Sequence, residues 1–249
     1  LGAEAQYFGR VGDDLTGRTI LTELTAAGVD TSQVQEIPGV PSPVSAVLVD
    51  SAGERLIVNH TDSCLFDGGD LAHVAAAAEA DCVLVDVRWP AAAALVLETA
   101  RSRGIPSVFD FDRPMDDRGT ELLAAASHVA FSAAALASTA GVDDPAAGLR
   151  EVSGHTEAFL AVTLGAGGVM WLDGPEVRHI LPPPVAVVDT VGAGDVFHGA
   201  LALALGEGQT EADAIRFATA AAAIKCSRPG GRSGAPHRPE VERLLKEWE

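Results

Sequence analysis

Asp189-Thr190-Val191-Gly192-Ala193-Gly194-Asp195 separates two apolar stretches, Val185-Ala186-Val187-Val188 before it and Val196 to Leu205 after it. A short apolar run, a glycine-rich turn and a longer Ala/Leu run predict strand, turn and helix. The two glycines leave the backbone bare where the first helical N–H groups lack partners, which suits a phosphate-like anion. Asp195 adds a carboxylate beside that anion site. Negative-charge stabilisation next to a candidate base is what phosphoryl transfer requires. The same run also reads as an ordinary strand–helix turn with Asp as a helix-start residue. The motif alone leaves both readings open.

Outward from this junction the pattern is strand and helix in alternation. Helices are expected over 71–79, 91–103, 117–126, 195–205, 210–225 and 238–248, with strands at Cys82–Val87, Pro106–Phe111 and His128–Phe131. The central strands lack a polar face, as in a parallel sheet covered on both sides. Ala158–Leu164, Val169–Leu172 and Glu176–Leu181 predict an antiparallel edge. Near the start, a strand over Tyr7–Gly12 leads into a helix capped by Asp13-Asp14 and ended at Gly28. Residues 34–60 differ: Val44–Asp50 and Glu54–Asn59, joined by Ser51-Ala52-Gly53, predict a separate β-hairpin. The expected fold is a doubly wound, mainly parallel α/β domain (residues 1–33 and 61–249) with a small β lid at 34–60.

The chain has 249 residues, 17 Lys and Arg against 35 Asp and Glu, and a formal net charge of −18. That charge repels nucleic acid and anionic membranes, so neither is expected as a partner. The 47% hydrophobic content excludes a disordered chain. Cys64, Cys82 and Cys226 are odd in number and widely spaced, which argues against a disulfide framework and for a reducing cytoplasm. Apolar runs stop short of membrane-spanning length. Leu1 stands where a Met would open a chain, and the first residues read as the end of a helix, so the sequence is expected to lack its beginning.

Other motifs narrow the chemistry. Thr163-Leu164-Gly165-Ala166-Gly167-Gly168 runs a strand into a glycine-rich turn, where a ligand can approach the backbone or a plain hairpin can turn. Cys226 to Gly234, rich in glycine, either walls a nucleotide site or caps a helix. Arg88, in Asp86-Val87-Arg88-Trp89 at a strand's C-terminal end, is placed for an anionic substrate group; a surface salt bridge with Asp86 or Asp112 is the commoner outcome. His198, one turn from Asp195, reads as a packed or capping histidine. GxxxxGK[ST], GxSxG and HExxH are absent, and Phe197 stands where the third glycine of GxGxxG belongs.

Asp189-Thr190-Val191-Gly192-Ala193-Gly194-Asp195-Val196-Phe197-His198-Gly199-Ala200 closely resembles the second signature of the PfkB/ribokinase family of carbohydrate kinases. Gly9 to Gly17 resembles the family's early strand–helix junction, residues 44–60 its lid hairpin, Thr163 to Gly168 its nucleotide-side turn, and Ala223–Gly231 its adenine-side segment. Asp86-Val87-Arg88-Trp89 and Lys225 to Arg232 are most similar to ketohexokinase and sulfofructose-kinase-like members. The resemblance implies an ATP-dependent kinase of a small sugar, a ketose or a relative of one. Asp195 is then the base, and the N–H groups of Gly192, Ala193 and Gly194 form the anion hole. Thr163, Gly165, Gly168, Ser132, Gly230 and Gly231 line ATP, and Arg88 joins Asp195 at the sugar. Asp189 and the carbonyl of Val191 resemble the monovalent-cation (K+) site, and Mg2+ bridges the ATP phosphates through waters. A homodimer through the lid strands is expected.

Two departures stand out. Family members often carry Asn-x-x-Glu where this chain has Ser132-Ala133-Ala134-Ala135, so magnesium is organised by other groups or activity is impaired. The early substrate-binding Asp and glycine-rich sugar motif of the family are also not seen. A nucleoside kinase of the same family and a non-catalytic nucleotide- or sugar-binding module are the alternatives, and intact Asp195 argues against the second.

Overall fold

The computed structural model describes residues 1–49, 55–113 and 117–248. The backbone forms two compact units. One comprises Leu1–Ala3, Ala78–Val87 and Ala93–Glu249; the other comprises Glu4–Ala77 and Arg88–Ala92.

The larger unit is built on a six-stranded sheet: β5 (Val83–Val85), β6 (Ser107–Phe111), β7 (His128–Ser132), β8 (Phe159–Thr163), β9 (Val169–Asp173) and β10 (Glu176–Ile180), lying side by side in chain order. β5 to β8 are parallel, and β9 and β10 extend the sheet antiparallel. Around it lie α2 (Pro90–Arg103), α3 (Asp117–Ala125), α4 (Ala133–Ala140), α5 (Pro145–Ser153), α6 (Ala193–Gly206), α7 (Glu211–Cys226) and α8 (Arg238–Glu247). The period of two along each strand sorts its residues into two cores. Phe109, Val129, Phe131, Leu160 and Val162 pack with Leu97, Leu122, Leu136 and Leu149 from α2 to α5. Val108, Ala130 and Ala161 pack with Phe197, Leu201, Ile215 and Phe217 from α6 and α7. Both faces are therefore helix-covered, as the mostly apolar central strands required.

In the smaller unit, β1 (Arg10–Gly12) pairs in parallel with β2 (Gln35–Ile37), and α1 (Leu15–Ala26) follows β1. Asp14 caps α1 through Gly17 N–H at 2.7 Å and also accepts from Ser42 N–H at 2.9 Å and Ser42 Oγ at 2.7 Å. β3 (Val44–Val49) and β4 (Arg55–His60) form the expected antiparallel hairpin. Its predicted turn, Ser51-Ala52-Gly53, lies outside the described residues.

Four local expectations are corrected. Val185–Val188 is not a strand: it follows the irregular Pro182-Pro183-Pro184 run, and Val188 N–H donates to Cys226 O at 2.8 Å. Residues 71–79 form a 3-10 segment over Val74–Glu79 and not an α-helix. Leu1–Ala5 is not helical. Ala158–Leu164 yields β8, antiparallel to β9 but parallel to β7, so it belongs to the central sheet as well as its edge.

Candidate active site

α6 starts at a residue with no side chain to cap it. Gly192 holds the N-cap position at φ 76°, and a Cβ there would lie 3.4 Å from Gly231 Cα. Glycine meets both demands, the left-handed conformation and the close backbone approach. Ala193, Gly194 and Asp195 form the first turn, where backbone N–H groups face outward and the helix dipole favours an anion. Ala193 N–H turns back to Thr190 O at 3.2 Å. At Gly194 a Cβ would meet nothing within 4 Å, so the space beside this turn is open. Asp195 is exposed at its edge.

Asp189 ties that turn to the C-terminal end of α7. Its carboxylate accepts from Val191 N–H at 2.8 Å and from Gly230 N–H at 2.9 Å. Its main-chain N–H donates to Cys226 O at 3.1 Å, and its carbonyl accepts from Lys225 Nζ at 2.7 Å. Gly230, at φ 82°, and Gly231 carry this second loop against Val191 and Gly192. The fold thus unites Asp189, Val191, Gly192, Gly230 and Gly231, which sequence placed in separate motifs.

A second link joins α6 to the carboxyl ends of the sheet, where open α/β sheets bind ligands. His198, 4% exposed, has Nδ1 2.8 Å from Gly194 O and 3.3 Å from Asp110 Oδ2, while Nε2 lies 3.3 Å from Ala130 O. Burial pushes the Asp110 carboxyl up to about 6; His198 opposes the rise, and the carboxylates of Asp112, Asp195 and Asp86 add to it. Asp110 Oδ1 is buried with no hydrogen-bond partner.

Ser132, at the end of β7, caps α4 through Ala135 N–H at 3.2 Å and donates to Asp112 O at 2.9 Å. It sits in register with Thr163 of β8, whose hydroxyl donates to Phe131 O at 3.2 Å. Gly165 and Gly168 both take positive φ, and a Cβ at Gly168 would strike Ile180 O at 1.9 Å. Arg88 is exposed in the turn after β5, within the segment that belongs to the smaller unit.

The model of the pfkB family carbohydrate kinases matches residues 1–238. The chain belongs to that family. It is 30% identical to the ribokinase of Bacillus subtilis over 98% of this chain and 83% of that one. Arabidopsis thaliana ribokinase, solved with ribose and ATP, superposes with a TM-score of 0.81 at 25% identity, covering 98% of this chain and 82% of that one. A protein of Agrobacterium tumefaciens, provisionally assigned as a ribokinase, gives a TM-score of 0.94 at 39% identity over 100% of this chain and 82% of that one. This pfkB protein is therefore an ATP-dependent carbohydrate kinase with the ribokinase-like α/β fold.

Sequence reasoning about the kinase missed Asp110 and Lys225 and gave His198 only a packing or capping role. Asp110 carried a readable signal: a carboxylate within Ser107-Val108-Phe109-Asp110-Phe111 interrupts an otherwise apolar strand, and a buried charge needs a reason. Lys225, at the end of an Ala-rich helix, carried none, because a lysine in a last helical turn ordinarily serves the helix dipole.

Proposed function

We propose that this kinase transfers the γ-phosphoryl group of ATP to a hydroxyl of a small free sugar, with ribose the first acceptor to test. The observation that carries the residue roles is the Gly192-capped start of α6, which sets outward N–H groups and the Asp195 carboxylate side by side. Asp195 orients the attacking hydroxyl and receives its proton. A carboxylate is a weak base at neutral pH, so the proton moves late and orientation is its main contribution. Gly192, Ala193 and Gly194 face the transferred phosphoryl; the Ala193 N–H takes part once its bond to Thr190 O opens. Each such donor is typically worth about 3 kcal/mol in the transition state. Thr163, Gly165, Gly168, Ser132, Gly230 and Gly231 lie along the nucleotide, and Arg88 contacts the sugar.

Magnesium supplies charge neutralisation on the phosphates. Among the described residues no cluster of three or more His, Cys, Asp or Glu forms a metal cage, which suits an ion carried by ATP and its waters. The buried Oδ1 of Asp110, which has no hydrogen-bond partner, is the group that would meet such an ion through water. Residues 34–60 act as a lid over the sugar, and two lids pair in a homodimer; the exposed Val44, Val47, Leu48, Leu56 and Val58 of the hairpin support that reading. Cys64, Cys82 and Cys226, none of them in a disulfide, suit a cytoplasmic setting.

The test is ADP release with ATP and magnesium over ribose, fructose, 2-keto-3-deoxygluconate, sulfofructose and adenosine. Turnover on a sugar that falls about 10³-fold or more in Asp195→Asn supports the assignment. An Asp195→Asn variant with undiminished turnover removes Asp195 from its role, and preferred turnover of adenosine replaces the sugar with a nucleoside.

A further inference from the structure

Resemblance to the family assigns Asp189 and the carbonyl of Val191 to a monovalent cation. The residues present do not fit one. A hard cation needs several oxygens whose lone pairs converge on one point. Here all three oxygens of Asp189 already face N–H donors: Oδ1 accepts from Val191 N–H, Oδ2 from Gly230 N–H, and the carbonyl from Lys225 Nζ. The ammonium also stands 3.7 Å from Oδ2.

Lys225 is itself completely buried, 0% exposed, which is rare for lysine unless its charge is matched. Its partner is Asp189: one charge-assisted bond runs to the carbonyl, and the carboxylate 3.7 Å away matches the charge. The room for its stem is built in. A Cβ at Gly234 would come within 3.3 Å of Lys225 Cε, so the residue facing the lysine is the one with no side chain. Lys225 lies in the last turn of α7, and Asp189 leads into the turn that starts α6, so the ammonium pins one helix end to the other helix start.

We infer that the Lys225 ammonium is this kinase's resident monovalent cation, holding the Asp189 turn in place of a potassium ion and making the enzyme independent of added monovalent salt. Lys225 acts through Asp189 on the N–H groups that follow it, as a positioning residue. Its effect on turnover rests on the sugar-kinase reading of Asp195; its occupancy of the cation position does not. A tethered cation also escapes the loss of a free ion at low salt, since it is covalently present at every turnover.

The experiment compares potassium, sodium and choline chloride at equal ionic strength, on the full chain, by two readouts. Turnover with ATP, magnesium and ribose is one; thermal unfolding with ATP and magnesium, which needs no turnover, is the other. The wild type is expected to show the same kcat within about twofold and the same Tm in all three salts. Lys225→Ala, which opens space for an ion, is expected to lose about 10- to 100-fold in kcat in choline, the worth of a buried charge-assisted bond, and to recover in potassium. Lys225→Met keeps the stem and removes the charge, so it tests the charge where the shorter side chain fails to fold. The inference is overturned by a wild type whose kcat or Tm rises with potassium over choline, or by a Lys225→Met enzyme fully active in choline. Absence of turnover in every salt and with every acceptor sinks the sugar-kinase reading alone, because the melting comparison still decides the cation.

Discussion

Asp110 Oδ2 lies 3.3 Å from Nδ1 of His198, so a carboxylate near the carboxyl end of β6 meets the helix that begins at the proposed anion hole. The same imidazole nitrogen lies 2.8 Å from Gly194 O, which ties Asp110 to the first turn of α6. The pair has a pH signature. Burial raises the Asp110 pKa from 3.8 to about 6, so between these values the folded chain binds more protons than the unfolded chain. Stability from this group is therefore present at low pH and lost as pH rises through about 6. Asp110→Asn is expected to be more stable than wild type above pH 7, by roughly 1–3 kcal/mol, with the gain vanishing below about pH 4. Urea denaturation at pH 4, 6 and 8 measures it. A pH-independent difference would mean that burial does not set this carboxyl.

Asp14 has the opposite sign. Hydrogen bonds from Gly17 N–H and from the Ser42 hydroxyl and N–H hold its pKa down at about 2. The native state therefore favours the ionised form, and its contribution is present above about pH 4 and lost as pH falls towards 2. Asp14→Ala removes the α1 cap and the anchor of Ser42 together. Its Tm is expected to fall below wild type at pH 7, and the difference to narrow on acidification to pH 2. A Tm difference that stays constant across that range refutes the ionised cap.

At Gly192 the backbone and the chemistry share one constraint. Alanine there must adopt φ 76° and set a Cβ against Gly231. The left-handed conformation alone disfavours it by about 1–2 kcal/mol. Gly192→Ala is expected to lower stability by that amount and to reduce kcat about tenfold or more, with KM for ATP changing less, because the donors act on charge that develops in the transition state. Steady-state kinetics beside urea denaturation separate the two effects; a change in KM alone would place Gly192 in ground-state nucleotide binding.

Gly168 tests the other glycine-rich turn. A Cβ would overlap Ile180 O at 1.9 Å, and that atom is backbone, which has little freedom to retreat. The residue also holds φ 83°. Gly168→Ala is expected to lower stability by about 3 kcal/mol or more, through strain at a special backbone conformation, whereas Gly165→Ala, with nothing within 4 Å of its Cβ, should lose only its positive-φ penalty. Paired melting curves of the two variants decide it, and equal losses would show that Ile180 yields.

Much of the sheet was readable because its strands are short apolar runs set between turn residues, as at Ser107–Phe111 and Phe159–Thr163. Helices α4 and α5 were not anticipated, although Ser132 and Asp144-Pro145 cap their starts and Gly141 ends α4 in the left-handed region; α4 is alanine-rich and gave little periodicity to read. Val185–Val188 misled for the reverse reason, since β-branched composition outweighed the three prolines before it. Around the proposed site, local backbone chemistry was legible as placement: the glycine turn that starts α6, with Asp195 in its first turn. The pairs Asp110–His198 and Lys225–Asp189 were not, because only tertiary packing sets which distant side chains meet and which charges are buried.

The hairpin yields the last prediction. Val44, Leu48, Leu56 and Val58 are each more than half exposed on β3 and β4, and Leu48 faces Leu56 directly across the ladder. Cross-strand apolar pairs ordinarily stabilise by being covered, and an open two-stranded ribbon offers its edges for pairing. In the proposed homodimer a second copy of the hairpin would supply both the cover and the edge, in a self-complementary contact. Leu48→Lys with Leu56→Lys places like charges directly opposite one another on that face. Wild type is expected to sediment as a dimer, and the double variant as a monomer with its secondary structure retained. Because the same strands form the proposed lid, the variant's KM for the sugar should rise more than its KM for ATP. A wild type that sediments as a monomer at all concentrations rejects the interface, and an unchanged sugar KM in a monomeric variant separates the lid from the dimer contact.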